Sequence, residues 1–266
     1  MNIRFKPGRQ RLSLLALLAM GGIPLAQAQS AEAGDVAADA WRFQATPYVW
    51  MSGMEGQVRP FRSAPMADVH KSFSELMDSL DAAAFITGTA RRGNFVLQAD
   101  VTHASTSDAA PLPIGVVAKV KVRQSSATVT AGYAWMATER TGIDLMGGLR
   151  YWDISAAVNV PGLVSARSDA SFVDPIAALR WRQALAPRWS SVAYVDVGGF
   201  GVGSDATWQV VALANYQAND NLFLSMGYRH LSVDYRDSGK RLDVSLSGPM
   251  LGLTYRFGPG RSTGPL

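Results

Sequence analysis

Pro249-Met250-Leu251-Gly252-Leu253-Thr254-Tyr255-Arg256-Phe257, near the end of a 266-residue chain, alternates apolar or aromatic residues with small or polar ones. Successive side chains of a strand point to opposite faces, so Leu251, Leu253, Tyr255 and Phe257 share one side. Gly252, Thr254 and Arg256 share the other. A tilted strand needs roughly 9–11 residues to cross a bilayer, with its apolar face toward lipid and its polar face inward. The stretch fits that requirement. Upstream of it the parity changes, since Leu242, Val244 and Leu246 are even-numbered. A bulge at Gly248-Pro249 is therefore expected, with the upper half of the strand above the bilayer.

The beginning of the chain carries a matching signal. Arg4, Lys6, Arg9 and Arg11 precede an apolar run from Leu12 to Ile23, followed by the small-residue site Ala26-Gln27-Ala28. This is the pattern of a cleaved export signal over residues 1–28, and the run is short of the roughly 20 residues of a membrane helix. The expected organisation is a signal peptide at 1–28, a periplasmic segment at 29–40, a barrel at 41–257 and a tail at 258–266. The chain has no cysteine, which excludes lipoprotein anchoring and disulfides. The absence of an Arg-Arg pair near the start argues against twin-arginine export.

The pI of about 9.5 belongs to the leader. Beyond residue 28 basic and acidic side chains balance at 21 each, so no cationic excess remains to neutralise a nucleic acid. Apolar content of 48% resembles that of a soluble protein. A membrane barrel averages out in the same way, because its lipid-facing and lumen-facing residues alternate. Period decides between the two.

Trp41 to Met51 reads as the first strand, with Pro47 marking a bulge, since proline lacks one ladder N–H. An excursion over 52–81 follows. Within it Phe73, Leu76, Met77 and Leu80 fall on one helical face, and Ser72 with Glu75 forms a capping box. A short helix is expected there, packed on the rim or folded inward as a plug. Four hairpins come next: 82–91 with 95–103, 124–136 with 143–152, 172–185 with 189–200, and 207–216 with 222–235. Residues 241–257 close the sheet. The fold class is an all-β transmembrane antiparallel up-and-down barrel of about ten strands. Eight or twelve remain open, because Val116 to Val122 could extend a strand. Turns within the pairs are short, whereas 52–81, 104–123 and 157–171 are long connections, the usual division between periplasmic and extracellular ends. Trp208 and Tyr216 sit on one face at the two ends of one strand, as girdle residues do.

With apolar parity outward, Asp100, Asp174 and Asp196 point inward, and so do Arg150, Arg180 and Arg229. Gln44, Gln98 and Gln209 could satisfy their remaining hydrogen bonds. These charges would pair across a narrow lumen as a polar core, or line a constriction that selects ions.

Pro47-Tyr48-Val49-Trp50, Ser72-Phe73-Ser74-Glu75-Leu76-Met77, Gly148-Leu149-Arg150-Tyr151, Val173-Asp174-Pro175, Asp196-Val197-Gly198-Gly199-Phe200 and Gly227-Tyr228-Arg229, taken in order, resemble an uncharacterised family of small proteobacterial outer-membrane β-barrels. The closing strand ending in Phe257 is similar to the assembly signal of such barrels, although nine residues follow it. The resemblance implies a Gram-negative outer-membrane location and contact with lipids, including lipopolysaccharide, and with the barrel-assembly machinery. It implies no cofactor, no activity and no site residues.

Enzymes built on barrels place a Ser/His or Asp/His set at the outer rim. Only His70, His103 and His230 are available here, and no catalytic set is assigned to them. No metal-ligand spacing is present, and Gly198-Gly199-Phe200-Gly201-Val202-Gly203 lacks the following helix of a phosphate loop. The reading is a porin-like barrel, structural or a narrow solute or ion passage, with a lumen lined by the Asp/Arg set. A rim-active lipid-modifying enzyme, or a surface receptor or adhesin using the long loops, is the alternative. Solute and oligomeric state are not encoded in any pattern found.

Overall fold

The computed structural model describes residues 40–62, 65–111, 117–138 and 140–257. The expected signal peptide, nearly all of 29–40 and the tail at 258–266 lie outside these residues. The strands are β1 (Arg42–Trp50), β2 (Gly53–Arg59), β3 (Ala67–Lys71), β4 (Leu80–Arg92), β5 (Phe95–Pro111), β6 (Val117–Ala137), β7 (Thr141–Val160), β8 (Val164–Ala186), β9 (Trp189–Gly198), β10 (Ala206–Gln217), β11 (Leu222–Asp237) and β12 (Lys240–Phe257), with helix α1 at Phe73–Asp78 between β3 and β4. Ten of them, β1 and β4 to β12, form a closed antiparallel barrel in which β12 returns to pair with β1. β2 and β3 are an extra pair added outside the barrel on β12. The expected ten-stranded architecture is the one observed.

Closure leaves no unpaired edge in the lower wall, which is the condition for a sheet to lie in lipid. The outward face there is apolar on every strand. Leu97, Val101, Val129, Leu145, Leu149, Leu179, Leu224, Met226, Leu251 and Leu253 are all exposed. Outward aromatics collect at the short-turn end, with ring contacts between Trp41 and Phe43 at 5.9 Å, Phe95 and Tyr133 at 5.7 Å, Trp189 and Tyr216 at 5.1 Å, and Tyr255 and Phe257 at 4.7 Å.

The expected break of parity in β12 is absent. Val244, Leu246, Gly248, Met250, Thr254 and Arg256 are buried in sequence, so even-numbered residues face inward along the whole strand. What changes at Gly248-Pro249 is the partner. Below it β12 pairs with β1, from Phe43↔Phe257 to Trp50↔Met250; above it β12 pairs with β2, from Gly53↔Ser247 to Arg59↔Arg241. Met51 bridges the two by donating its N–H to the Pro249 carbonyl at 2.9 Å, so β1 and β2 run along β12 in one register. Gly248 is needed because a Cβ there would stand 2.1 Å from the Met51 carbonyl oxygen. Pro47 causes no bulge either. The pairings on both sides of it keep constant register, and the ladder to β12 simply passes over Thr46 and Pro47.

The long connections are mostly strand. The excursion at 52–81 contains β2, β3 and α1, residues 104–111 and 117–123 extend β5 and β6, and 157–171 is a hairpin turning at Pro161-Gly162-Leu163. Above the bilayer both sheet faces meet different surroundings, so apolar alternation stops announcing a strand. Ser72 caps α1, its hydroxyl accepting from the Glu75 N–H while Glu75 reaches back to the Ser72 N–H at 2.7 Å. Phe73 and Met77 are exposed, Leu76 is half-buried, and Leu80 belongs to β4. None of the helix is buried and none of it lines the lumen cavity, which fits a rim position and not a plug.

The β2–β12 pairing gives a direct test. Glu55→Cys with Ser245→Cys joins register partners in a chain that has no other cysteine. Antiparallel partners about 4.5–5.5 Å apart at Cα lie within disulfide reach. Oxidation is expected to give a single cross-linked monomer on non-reducing gels, whereas a free 52–81 loop would leave the thiols unpaired.

Candidate functional site

The lumen is filled by side chains arranged in layers, as expected for a barrel only slightly wider than eight strands. Asp144 and Arg150 on β7, Arg180 on β8, Asp196 on β9, Arg229 on β11, Asp100 on β5 and Arg91 on β4 all project inward, because the alternation that exposes Leu145, Leu149, Leu179 and Val195 turns their neighbours to the interior.

At mid-depth Arg150 and Asp196 form a two-pronged pair, with Nη1 to Oδ1 at 3.1 Å and Nη2 to Oδ2 at 2.6 Å. Both are almost wholly buried, at 1% and 0% side-chain exposure. Arg150 Nε donates to Thr128 at 2.9 Å, and Gln209 donates to Asp196 at 3.1 Å. Beside this pair, Arg229 donates to the Tyr48 hydroxyl at 2.6 Å and to Asp100 at 3.3 Å, while Tyr48 donates to Asp100 at 2.9 Å. Toward the short-turn end, Asp144 Oδ2 accepts from Arg91 Nη2 at 2.6 Å and from Arg180 Nε at 3.0 Å. Arg182 Nε lies 3.4 Å from the same oxygen. Arg180 also reaches Thr89 and Gln98 at 3.3 and 3.2 Å.

Five of the six charges read from sequence thus join ion pairs. Asp174 stands apart. It is the register partner of Arg150, yet its carboxylate accepts from the Trp152 indole N–H at 3.0 Å and from the Ser204 N–H at 2.6 Å. It ties the turn between β9 and β10 to β8, a turn whose Gly199, Phe200 and Gly201 all adopt positive φ. Sequence reasoning missed Arg91, Asp144 and Arg182. Their parity marks them as inward, but they lie at strand ends beside turns, where depth in the lumen is hardest to judge.

Above the polar layers Tyr48, Trp50, Trp152, Phe172, Leu231, Val233, Tyr235, Leu246 and Met250 form one buried apolar cluster. Phe172 stacks on Tyr235 at 4.2 Å between ring centres. Arg229 lies over the Trp50 ring at 4.7 Å and Arg150 near the Trp152 ring at 5.9 Å, so the guanidiniums join the two layers. Beneath the apolar cluster, among the polar side chains, a chamber of about 110 Å³ remains, lined by Thr46, Thr128, Gln98, Asp100, Arg150 and Arg229 among others.

At the long-strand end, α1, β5, β6, β7 and β8 surround an open cleft of about 860 Å³. Lys71 donates to Asp108 across it. This contact holds the Asp108 carboxyl below its ordinary range, as the Ser72 hydroxyl and N–H hold that of Glu75. His103 and His230 face outward and lie outside the lumen. Each bonds through Nδ1 to a serine on the next strand, Ser125 at 2.9 Å and Ser247 at 2.6 Å. His70 lies 3.9 Å from Glu55 on the exposed β2–β3 pair. Among the described residues no group of three metal-ligating side chains converges.

These features define an outer-membrane-type β-barrel with a packed interior. No family model matches the chain, and no curated protein matches it in sequence. Solved structures similar to it include the outer membrane protease OmpT of Escherichia coli, at 10% identity and TM-score 0.44, covering 83% of this chain and 97% of that one. The translocator domain of the autotransporter NalP of Neisseria meningitidis is similar at 11% and 0.46, with coverages of 84% and 90%. The attachment invasion locus protein Ail of Yersinia pestis matches at 12% and 0.34, with coverages of 82% and 99%.

The Arg150–Asp196 pair gives an asymmetric mutational signature. Asp196→Ala leaves a buried guanidinium unpaired and is expected to destabilise by about 3–5 kcal/mol. Arg150→Met with Asp196→Leu is expected to recover most of that loss. Urea unfolding of the detergent-folded barrel, followed by tryptophan fluorescence, measures both, and equal losses in the two variants would contradict the pairing.

Proposed function

We propose that this chain is an integral protein of the Gram-negative outer membrane, exported by its first 28 residues, whose barrel is a closed structural anchor. The observation that carries the reading is the two-layer seal, in which paired charges fill the lumen beneath a buried aromatic cluster. A chamber of about 110 Å³ beneath the aromatic cluster has room for only a few waters, which supports a filled lumen over an open passage. The apolar outer wall suits contact with lipid, its upper edge with lipopolysaccharide, and its last strand with the assembly machinery. The cleft at the long-strand end is the surface available to partners outside the cell.

In planar bilayers the wild-type protein is expected to add no conductance steps. Replacing Trp152, Phe172 and Tyr235 together by alanine removes the upper layer and is expected to admit small ions. Steps from the wild type that change size with Asp196→Asn would replace the anchor reading with that of an ion passage.

A further inference from the structure

Among the described residues each buried lumen arginine has a carboxylate of its own except at the short-turn mouth. Higher in the lumen, Arg150 has Asp196 and Arg229 has Asp100. At the mouth, Arg91, Arg180 and Arg182 converge on the single carboxylate of Asp144, and all three approach the same oxygen. Arg42 of β1 is the direct register partner of Arg91 on β4, which sets two like charges side by side on the inner face. Like charges directly opposite on neighbouring strands destabilise a sheet. Four guanidiniums therefore face one carboxylate among the described residues, with Arg256 of β12 close by over the Phe223 ring at 4.6 Å.

The donors are not used up. The Nε atoms of Arg42 and Arg91 are buried without a hydrogen-bond partner among the described residues, and Arg91 as a whole is only 3% exposed. Buried cations in excess, with unmet N–H groups, require a counter-charge that brings its own acceptors. Gly142 contributes to the shape. It is the register partner of Arg182, and a Cβ there would lie 2.4 Å from the Arg182 Nη2, so glycine leaves the guanidinium its place. Arg42 and Arg182 are only partly buried and form the accessible edge; Arg91 and Arg180 form the floor.

We propose that this cluster is a binding site for a phosphate-type oxyanion at the short-turn mouth of the barrel. The forks come from β1, β4 and β8 and so approach from several sides. A tetrahedral dianion offers acceptors in all those directions and offsets most of the excess charge, whereas a planar carboxylate engages a single fork. The site goes beyond the anchor role and does not depend on whether the lumen conducts.

The test is thermal unfolding of the folded barrel in detergent, in chloride buffer of fixed ionic strength, with inorganic phosphate, glycerol phosphate or acetate added. A ligand that binds only the folded state raises the unfolding temperature in a saturable way. Inorganic phosphate is expected to do so and acetate is not. A stronger response to glycerol phosphate would assign the site to an esterified phosphate, and an equal or weaker one to the free ion. Arg42→Gln with Arg182→Gln is expected to weaken the phosphate response by about tenfold or more per arginine lost. In phosphate-free buffer the same variant is expected to unfold at an equal or higher temperature, since a repulsion has been removed. That opposite sign separates a ligand site from a structural cluster. The proposal fails if phosphate gives no saturable shift, or if the double variant responds as the wild type does. It fails equally if phosphate acts only after Glu32, Asp35 and Asp39 are neutralised, which would give the arginines to the chain's own carboxylates.

Discussion

The contact between Arg150 and Asp196 joins β7 to β9 across the intervening β8, and two other buried pairs are chords of the same kind. Arg229 on β11 reaches Asp100 on β5 and Tyr48 on β1; Arg91 on β4 reaches Asp144 on β7. Ladder hydrogen bonds determine which strands are neighbours, but they tolerate sliding. A slip of one residue would turn every one of these charges toward lipid, which makes the register of the whole barrel dependent on them. Burying the Arg150–Asp196 pair is acceptable because Thr128, Thr207 and Gln209 supply further partners.

The aromatic layer rests on this polar floor. Trp50 and Trp152 meet the Arg229 and Arg150 guanidiniums, and Phe172 and Tyr235 stack above them. Asp174 couples the layers in a second way, holding the Trp152 indole and the Ser204 backbone at once. A polar core alone would hydrate and a wholly apolar one would leave the register undefined. The two in series give a wall that is fixed in register and filled along its axis.

Most of the barrel was legible because its lower strands obey one rule, apolar outward and polar inward, over lengths set by the bilayer. Arg150, Asp196, Arg229, Asp100 and Arg180 were found by parity alone. Asp174 was correctly placed inward but wrongly partnered, since parity gives the face of a residue and says nothing of the rotamer that chooses among neighbours. Arg91 and Asp144 lay beside turns, where the rule gives depth poorly. The β2–β3 pair was missed because its residues, such as Glu55, Gln57, Asp68 and His70, carry no lipid-facing pattern, and strand pairing above a membrane needs none.

The same strands explain the apparent break in β12. Parity persists, and the chemistry of the two faces exchanges. Along one register row the outward residues are Val101, Ala127, Tyr151 and Val173; in the next outward row they are His103, Ser125, Asp153 and Ser171. On the opposite wall Tyr228 and Pro249 give way to His230 and Ser247. Inside, the change runs the other way, from Arg150, Arg229 and Thr254 to Trp152, Leu231 and Leu246. A wall in lipid must be apolar outside, and a wall in water must hide its apolar face within. The exchange therefore marks an edge of the bilayer, and His103 and His230 with their serine partners belong to that edge as amphipathic rings at an interface.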